Sequence, residues 1–216
     1  VSRARGSCLG IAGALLGLAA AAPSRAEGPG IHVVAGYFDM THARRSARAL
    51  FGSTGGVTFG GGVSYAFGRG PFVEAGTRYF SRSGQRVFVA ERNGPVFPLG
   101  HPLRVTMLPT AVTLGYRFRR TRALTPYAGL GGGFVWYRER STVGGLSEIQ
   151  RTTRPSGHLT AGAELRRGPL RFAAEASYSR TPNLLGVRPD SVAKVYGEKD
   201  AGGLGFVLKL GLSRSR

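Results

Sequence analysis

The sequence predicts an all-β fold: eight antiparallel strands closed into an up-and-down transmembrane β-barrel. Three observations predict it. Eight stretches of about 8–14 residues alternate bulky apolar side chains with small or polar ones, the period-two pattern of a strand with two unlike faces. The links between them run long, short, long, short: roughly 39–56, 81–102, 139–155 and 181–201 are long, and roughly 68–71, 119–124 and 167–169 are short. Short turns on one rim and long loops on the other belong to barrels of the bacterial outer membrane. A secretory signal precedes the pattern.

That signal is residues 1–26. Arg3 and Arg5 form a positive start, Leu9 to Ala22 an apolar run, and Ser24-Arg25-Ala26 a small-x-small cleavage site. Cleavage after Ala26 leaves 27–216 as the barrel domain. Cys8 is the only cysteine and departs with the signal, so the mature chain has no disulfide or thiolate chemistry. It lies before the apolar run, not at the cleavage site, which argues against lipidation. No later apolar run reaches the roughly 18–20 residues of a spanning helix.

The strands follow in order. Strand one covers about 31–38. In strand two, 57–67, Val57, Phe59, Val63, Tyr65 and Phe67 share one face, and Thr58, Gly60, Gly62, Ser64 and Ala66 the other. Strand three, 72–80, sets Val73, Ala75 and Tyr79 against Glu74, Gly76 and Arg78. Strand four ends with Val112, Leu114, Tyr116 and Phe118 against Thr113, Gly115 and Arg117. Its earlier apolar residues, Leu103, Val105 and Met107, have the opposite parity. Pro109 lies between the two sets and predicts a bulge, because proline lacks the N–H donor.

Strand five, 125–137, sets Leu130, Phe134 and Trp136 against Gly129, Gly131 and Gly133. Strand six, 157–166, sets Leu159, Ala161, Ala163 and Leu165 against Thr160, Gly162, Glu164 and Arg166. Strand seven, 170–179, sets Leu170, Phe172 and Tyr178 against Arg171, Glu175 and Ser177. Strand eight, 203–213, sets Leu204, Phe206, Leu208, Leu210 and Leu212 against Gly205, Val207, Lys209 and Gly211.

The small-and-polar face carries only one or two charges per strand, too few for a water-facing exterior. It suits the narrow lumen of eight strands, which side chains nearly fill. The bulky face then meets lipid. With the N-terminus in the periplasm, Tyr37, Tyr79, Trp136 and Tyr178 fall at the upper strand ends. Tyr65, Phe67, Tyr116 and Phe118 fall at the lower ends. These make two aromatic girdles at the membrane interfaces.

The formal charge is +19, and loss of Arg3, Arg5 and Arg25 leaves 27 basic against 11 acidic residues, or +16. Such an excess raises the question of nucleic acid. The cations cluster instead at strand ends and in loops: Arg44, Arg45 and Arg48; Arg119, Arg120 and Arg122; Arg138 and Arg140; Arg151 and Arg154. Those are the rims, where guanidinium pairs with lipid phosphate. The expected partners are outer-membrane lipid and lipopolysaccharide, not nucleic acid.

The segments MLPTAVTLGYRF, TPYAGLGGGFVWY and HLTAGAELRRGPLRFAAEASYS resemble the small outer-membrane barrel family, the OmpA-like and OmpX-like eight-stranded domains. The resemblance covers nearly all of the mature chain. It implies insertion by the barrel assembly machinery, a monomer, and a structural or envelope-surface role. Barrels of this family usually close on an aromatic residue, whereas GLGFVLKLGL ends on leucine and is followed by Ser213-Arg214-Ser215-Arg216.

The lumen charges are the best-defined candidate site: Glu74, Arg78, Arg117, Glu164, Arg166, Arg171, Glu175 and Lys209. An unpaired charge in a nearly dry lumen is costly, so each should find a partner. The group reads as a salt-bridge network plugging the barrel or, alternatively, as the wall of a small gated pore. The resemblance implies the first.

His32, His42, His101 and His158 lack the spacing of a metal pair, and no cofactor is expected. Ser156, His158 and Glu175 suggest a hydrolase triad, but His158 has lumen phase, whereas a lipid A-modifying enzyme needs its triad toward lipid. GLGGG at 129–133 is no phosphate loop, because no Lys-Ser/Thr follows it. HARRSARALF in the first long loop suits a short surface helix. The basic residues of loops 39–56 and 81–102 suit contact with lipopolysaccharide or a ligand. An envelope-interaction role without catalysis is the expectation; a lipid A-modifying enzyme and a narrow porin are the alternatives.

Overall fold

Alternating apolar stretches close here into a ring. The computed structural model describes residues 27–67, 70–118, 124–143, 145–186 and 191–213. Residues 1–26, the expected signal, and the Arg119, Arg120 and Arg122 cluster lie outside these. The strands are β1 Glu27–Asp39, β2 Gly55–Ala66, β3 Pro71–Val89, β4 Val96–Arg117, β5 Leu124–Val143, β6 Leu146–Arg167, β7 Leu170–Arg180 and β8 Leu204–Ser213. Each pairs antiparallel with its sequence neighbour, and β1 pairs with β8 to close the barrel. Two helices cover the upper rim, α1 Arg44–Phe51 and α2 Val192–Tyr196, with a 3-10 turn Thr41–Ala43 before α1. The short β2–β3, β4–β5 and β6–β7 links mark the lower rim. Among the described residues no helix is long and apolar enough to cross a membrane.

The outward set follows the alternation. Val57, Phe59, Leu130, Leu159, Phe206 and Leu208 stand exposed on the outer wall, Leu208 at 69%. In β1, Ile31, Val33 and Tyr37 point out, while Val34 is buried inward.

Three expectations are corrected. The first is the bulge at Pro109. Leu103, Val105, Met107, Thr113 and Arg117 are all buried, so odd-numbered residues of β4 face inward from 103 to 117. Register with β5 is unbroken from Leu103↔Ser141 to Arg117↔Tyr127. What changes at Pro109 is the chemistry of the interior, polar below and apolar above. The register shift sits higher, where β3 and β4 slip between Gln85 and Val87, beside Gly100 at φ +70°; at Pro109 itself two β3–β4 pairings lapse with the register kept.

The second concerns the long links 81–102 and 139–155. These are largely strand, because β3–β4 and β5–β6 continue as hairpins above the closed ring, to a turn at 90–95 and a turn beside Gly145. Among the described residues of the long links, 40–54, 181–186 and 191–203 are irregular or helical connections.

The third concerns the lumen, which is small and polar only in its lower half. Its upper half is an apolar core of Met40, Ala43, Ala47, Phe80, Val105, Met107, Val135, Tyr137, Leu184 and Ala201, with Phe38, Phe51 and Leu185 packed against it. The sequence helix is therefore a stopper as well as a surface feature. Its Arg44, Arg45 and Arg48 face solvent, and Ser46 and Ala47 are buried. Gly52 ends α1 in the left-handed region at φ 73°, its N–H donating to the Arg48 carbonyl. α1 presses on β3 so closely that a Cβ on Gly84 would meet the Leu50 carbonyl oxygen at 1.9 Å. A second cluster, Val87, Val89, Val192 and Tyr196 with Leu50, fixes α2 to the β3 hairpin.

Candidate functional site

The lower lumen gathers all eight charges named from the sequence, in two groups. In the upper group Lys209 of β8 lies between two acids: its Nζ is 2.7 Å from Glu74 Oε1 and 2.6 Å from Glu175 Oε2. Glu175 also accepts from Arg78 Nη2 at 2.8 Å and from the Tyr127 hydroxyl at 3.0 Å. His32 Nε2 approaches Glu74 at 3.6 Å. In the lower group Glu164 is surrounded by Arg171 at 2.6 Å, Arg166 at 3.1 Å and Arg117 at 3.5 Å.

Strand phase places these side chains. Glu74 and Arg78 are four apart on β3, and Arg171 and Glu175 four apart on β7, so each pair shares the inner face. The aromatics between the groups were not assigned a role from the sequence. The Arg117 guanidinium stacks 4.5 Å from the Phe72 ring centroid, and Phe72 meets Tyr127 edge-on at 5.9 Å. A buried cation thus has a π-face on one side and a carboxylate on the other.

Above the network the histidine reading resolves. His158 sits at mid-barrel, because β6 extends far beyond it. Its Nε2 is 2.8 Å from Thr113 Oγ1. It makes no hydrogen bond to Ser156 or Glu175 among the described residues, so the structure assembles no triad. Among the described residues no group of three His, Cys, Asp or Glu is placed to hold a metal.

The outer wall carries the aromatics. Tyr37, Tyr79, Trp136 and Tyr178 ring the upper part, and Tyr65, Phe67, Tyr116 and Phe118 the lower, with Tyr65 against Phe67 at 4.9 Å and Tyr116 against Phe118 at 5.3 Å. Just above Trp136 the outward positions turn basic. Arg104 of β4 pairs directly with Arg140 of β5, and Arg138 of β5 with Arg151 of β6. All four are exposed, and among the described residues none of them has an ion pair. The sequence singled out Arg138, Arg140 and Arg151, but not Arg104. Only the register brings it beside them.

Three acids at the upper rim, Glu198, Asp200 and Glu148, are occupied within the protein. Glu198 accepts from the Arg45 N–H at 3.0 Å, and from the Ser46 N–H and hydroxyl at 2.8 and 2.7 Å. Asp200 accepts from the Thr181 and Gly202 N–H groups, each at 2.7 Å, and pairs with Arg180. Glu148 pairs with Arg86 at 3.1 Å. The solvent-facing balance of this rim is basic.

Comparison with known proteins agrees with this geometry. The model of the outer membrane protein beta-barrel domain matches residues 10–209. A major outer membrane protein from Thermus thermophilus superposes with TM-score 0.57 at 11% identity, covering 88% of this chain and 100% of that one, a likeness that shows the fold alone. Neisserial surface protein A gives 0.49 at 10% identity, over 88% and 100%. Ail, the attachment invasion locus protein of Yersinia pestis, in complex with the heparin analogue sucrose octasulfate, gives 0.46 at 13% identity, over 88% and 98%. The search of curated proteins found no match. With the family model spanning nearly the whole chain, this protein belongs to the outer-membrane β-barrel domain family and is an eight-stranded barrel of the Gram-negative cell outer membrane.

Proposed function

We propose that the barrel is a non-enzymatic, monomeric envelope protein that works through its outer surface, where basic residues contact the phosphate groups of lipopolysaccharide. The observation that carries this reading is the arginine quartet, Arg104, Arg138, Arg140 and Arg151. Like charges directly opposite on neighbouring strands repel. An anion seated between them turns that cost into charge-assisted hydrogen bonds, and guanidinium matches phosphate with two parallel donors. The quartet stands just above the Trp136 girdle, at the height of headgroups.

Support also comes from the lumen. Charge pairs cross its lower half and apolar side chains fill its upper half, an arrangement that favours a plugged barrel over a narrow porin. The inward-facing His158, bonded to Thr113, favours a binding or structural protein over a lipid A-modifying enzyme. Insertion by the barrel assembly machinery and cleavage after Ala26 complete the reading.

The test is thermal stability in bilayers containing either bisphosphorylated or dephosphorylated lipid A. The wild-type barrel should melt several degrees higher with the phosphorylated lipid. An Arg138→Gln/Arg140→Gln variant should lose most of that difference. Equal melting of the wild type in both bilayers would overturn the proposal.

A further inference from the structure

Between the charge network and the apolar stopper the lumen holds a cavity of about 130 Å³. Its lower lining is polar, with Arg78, Thr113, His158 and Ser177. Its upper lining is apolar, with Phe38, Phe80, Met107 and Val135. The volume approaches that of an apolar cavity of ~150 Å³ that accepts benzene. The two-sided lining suits a molecule with an apolar body and one hydrogen-bonding end. The neighbouring charges, Arg78, Glu175, Lys209 and Glu74, already pair with one another, so no net charge is left for a charged ligand to offset.

The cavity also reaches the wall. Its lining includes Gly61 and Thr77, which belong to the outward-facing sets of β2 and β3. At this point the β3–β4 ladder opens. Pairing holds at Thr77↔Thr110 and Phe80↔Met107 in one register, but Arg78 and Tyr79 have no ladder partners in β4. Pro109 stands there and has no N–H to donate. Its carbonyl accepts instead from the Thr77 hydroxyl at 3.2 Å, and Thr110 Oγ1 donates to Thr77 Oγ1 at 3.0 Å. The exposed Thr77 hydroxyl and the half-buried Thr110 hydroxyl thus border a gap in the hydrogen-bonded wall. The gap runs from just above Thr77 to Tyr79 of the upper girdle, at the level of the outer leaflet.

The geometry points to a lateral entry site: the Thr77–Pro109–Thr110 seam admits a small uncharged amphiphile of phenol's size and chemistry from the outer leaflet into the mid-lumen cavity. Its ring packs beneath Met107, Phe80 and Val135. Its hydroxyl bonds at the Thr113–His158 pair or Ser177. Such a molecule partitions into the leaflet and meets the wall from the lipid side. Side-chain hydroxyl bonds are easier to break and remake than a strand ladder, so the seam can open without unzipping β3 from β4.

The protein carries only two methionines, Met40 and Met107. Both are buried, and only Met107 lines this cavity. With both methyls 13C-labelled and the full barrel in nanodiscs, phenol is titrated. The Met107 methyl resonance should move saturably while that of Met40 stays in place. An Ala111→Phe variant fills the cavity and should abolish the Met107 response, its unshifted Met40 signal reporting an intact fold. A Pro109→Ala variant restores an N–H to the ladder and should slow exchange at Met107 severalfold without removing binding. A Met107 shift that rises linearly with phenol, or one unchanged by Ala111→Phe, would mean bulk partitioning only and would overturn the site. Saturable binding with an exchange rate untouched by Pro109→Ala would overturn entry through the seam.

Discussion

Lys209 of β8 and Glu175 of β7 meet diagonally across neighbouring strands, with Nζ 2.6 Å from Oε2 and both side chains buried in the lower lumen. Each is bound further, Lys209 to Glu74 and Glu175 to Arg78, so four charges from β3, β7 and β8 alternate in sign. Buried pairs of this kind are costly to break one-sidedly, because the partner keeps its charge and loses its counter-ion. Glu175→Ala should therefore destabilise the barrel by about 3–5 kcal/mol. Glu175→Ala with Lys209→Met should recover much of this. Unfolding in urea from lipid vesicles reads both. A double variant no more stable than the single one would contradict the pairing.

The contact between Leu50 and Gly84 makes a prediction about the stopper. A side chain at Gly84 has no room beside the Leu50 carbonyl. Gly84→Val should push α1 off the upper lumen at a cost of roughly 1–3 kcal/mol, typical of overpacking. The loss should be local. Trypsin should cut faster at Arg44, Arg45 and Arg48, while the heat-resistant compact band on a gel persists. Unchanged cleavage would mean that α1 is held from elsewhere.

Asp200 gives the upper rim a pH dependence. Burial alone raises its carboxyl, but the N–H groups of Thr181 and Gly202 and the Arg180 side chain outweigh this and hold it below the ordinary value. A carboxyl depressed in the folded state stabilises above its unfolded value of about 3.9. That contribution fades as pH falls below it and through the folded value. The protection of the Thr181 and Gly202 amides, relative to their intrinsic exchange at the same pH, should be high at pH 6 and fall as pH drops through the depressed folded value of Asp200. Asp200→Asn should show low protection at both. Equal protection in wild type and variant at pH 6 would contradict the clamp.

Processing is checked directly. Protein from an outer-membrane fraction should begin at Glu27 on N-terminal sequencing. Retention of the Leu9–Ala22 run would contradict cleavage after Ala26.

The barrel was legible because its two faces differ in kind. Leucine and phenylalanine outside against glycine, serine and threonine inside give β8 and β2 one phase, and the structure agrees residue by residue. That contrast fails where both faces are apolar. Leu103, Val105 and Met107 share parity with Thr113 and Arg117, yet their chemistry resembles that of lipid-facing residues, so the sequence alone points to a phase change at Pro109. The interior there is apolar because α1, Leu184, Leu185 and Ala201 roof it, a contact between residues more than fifty apart in sequence. The same limit hid Phe72 and Tyr127 within the charge network. Arg104 escaped the arginine quartet because only the β4–β5 register sets it beside Arg140. The long hairpins look like loops in the sequence because alternation weakens above the membrane, where neither face meets lipid.

The central claim is that the barrel acts through its outer surface and that its lumen is plugged. Single-channel recording of the purified protein in planar bilayers tests it most directly. Charge pairs below and the apolar stopper above predict no steady conductance steps in the wild type. Removing the stopper alone, by replacing 41–51 with a short glycine-serine link, should still give none, because the charge network remains. A large, stable pore current from the wild type, unaltered when Glu175 and Lys209 are both replaced, would contradict the account and make the lumen the working part of the molecule.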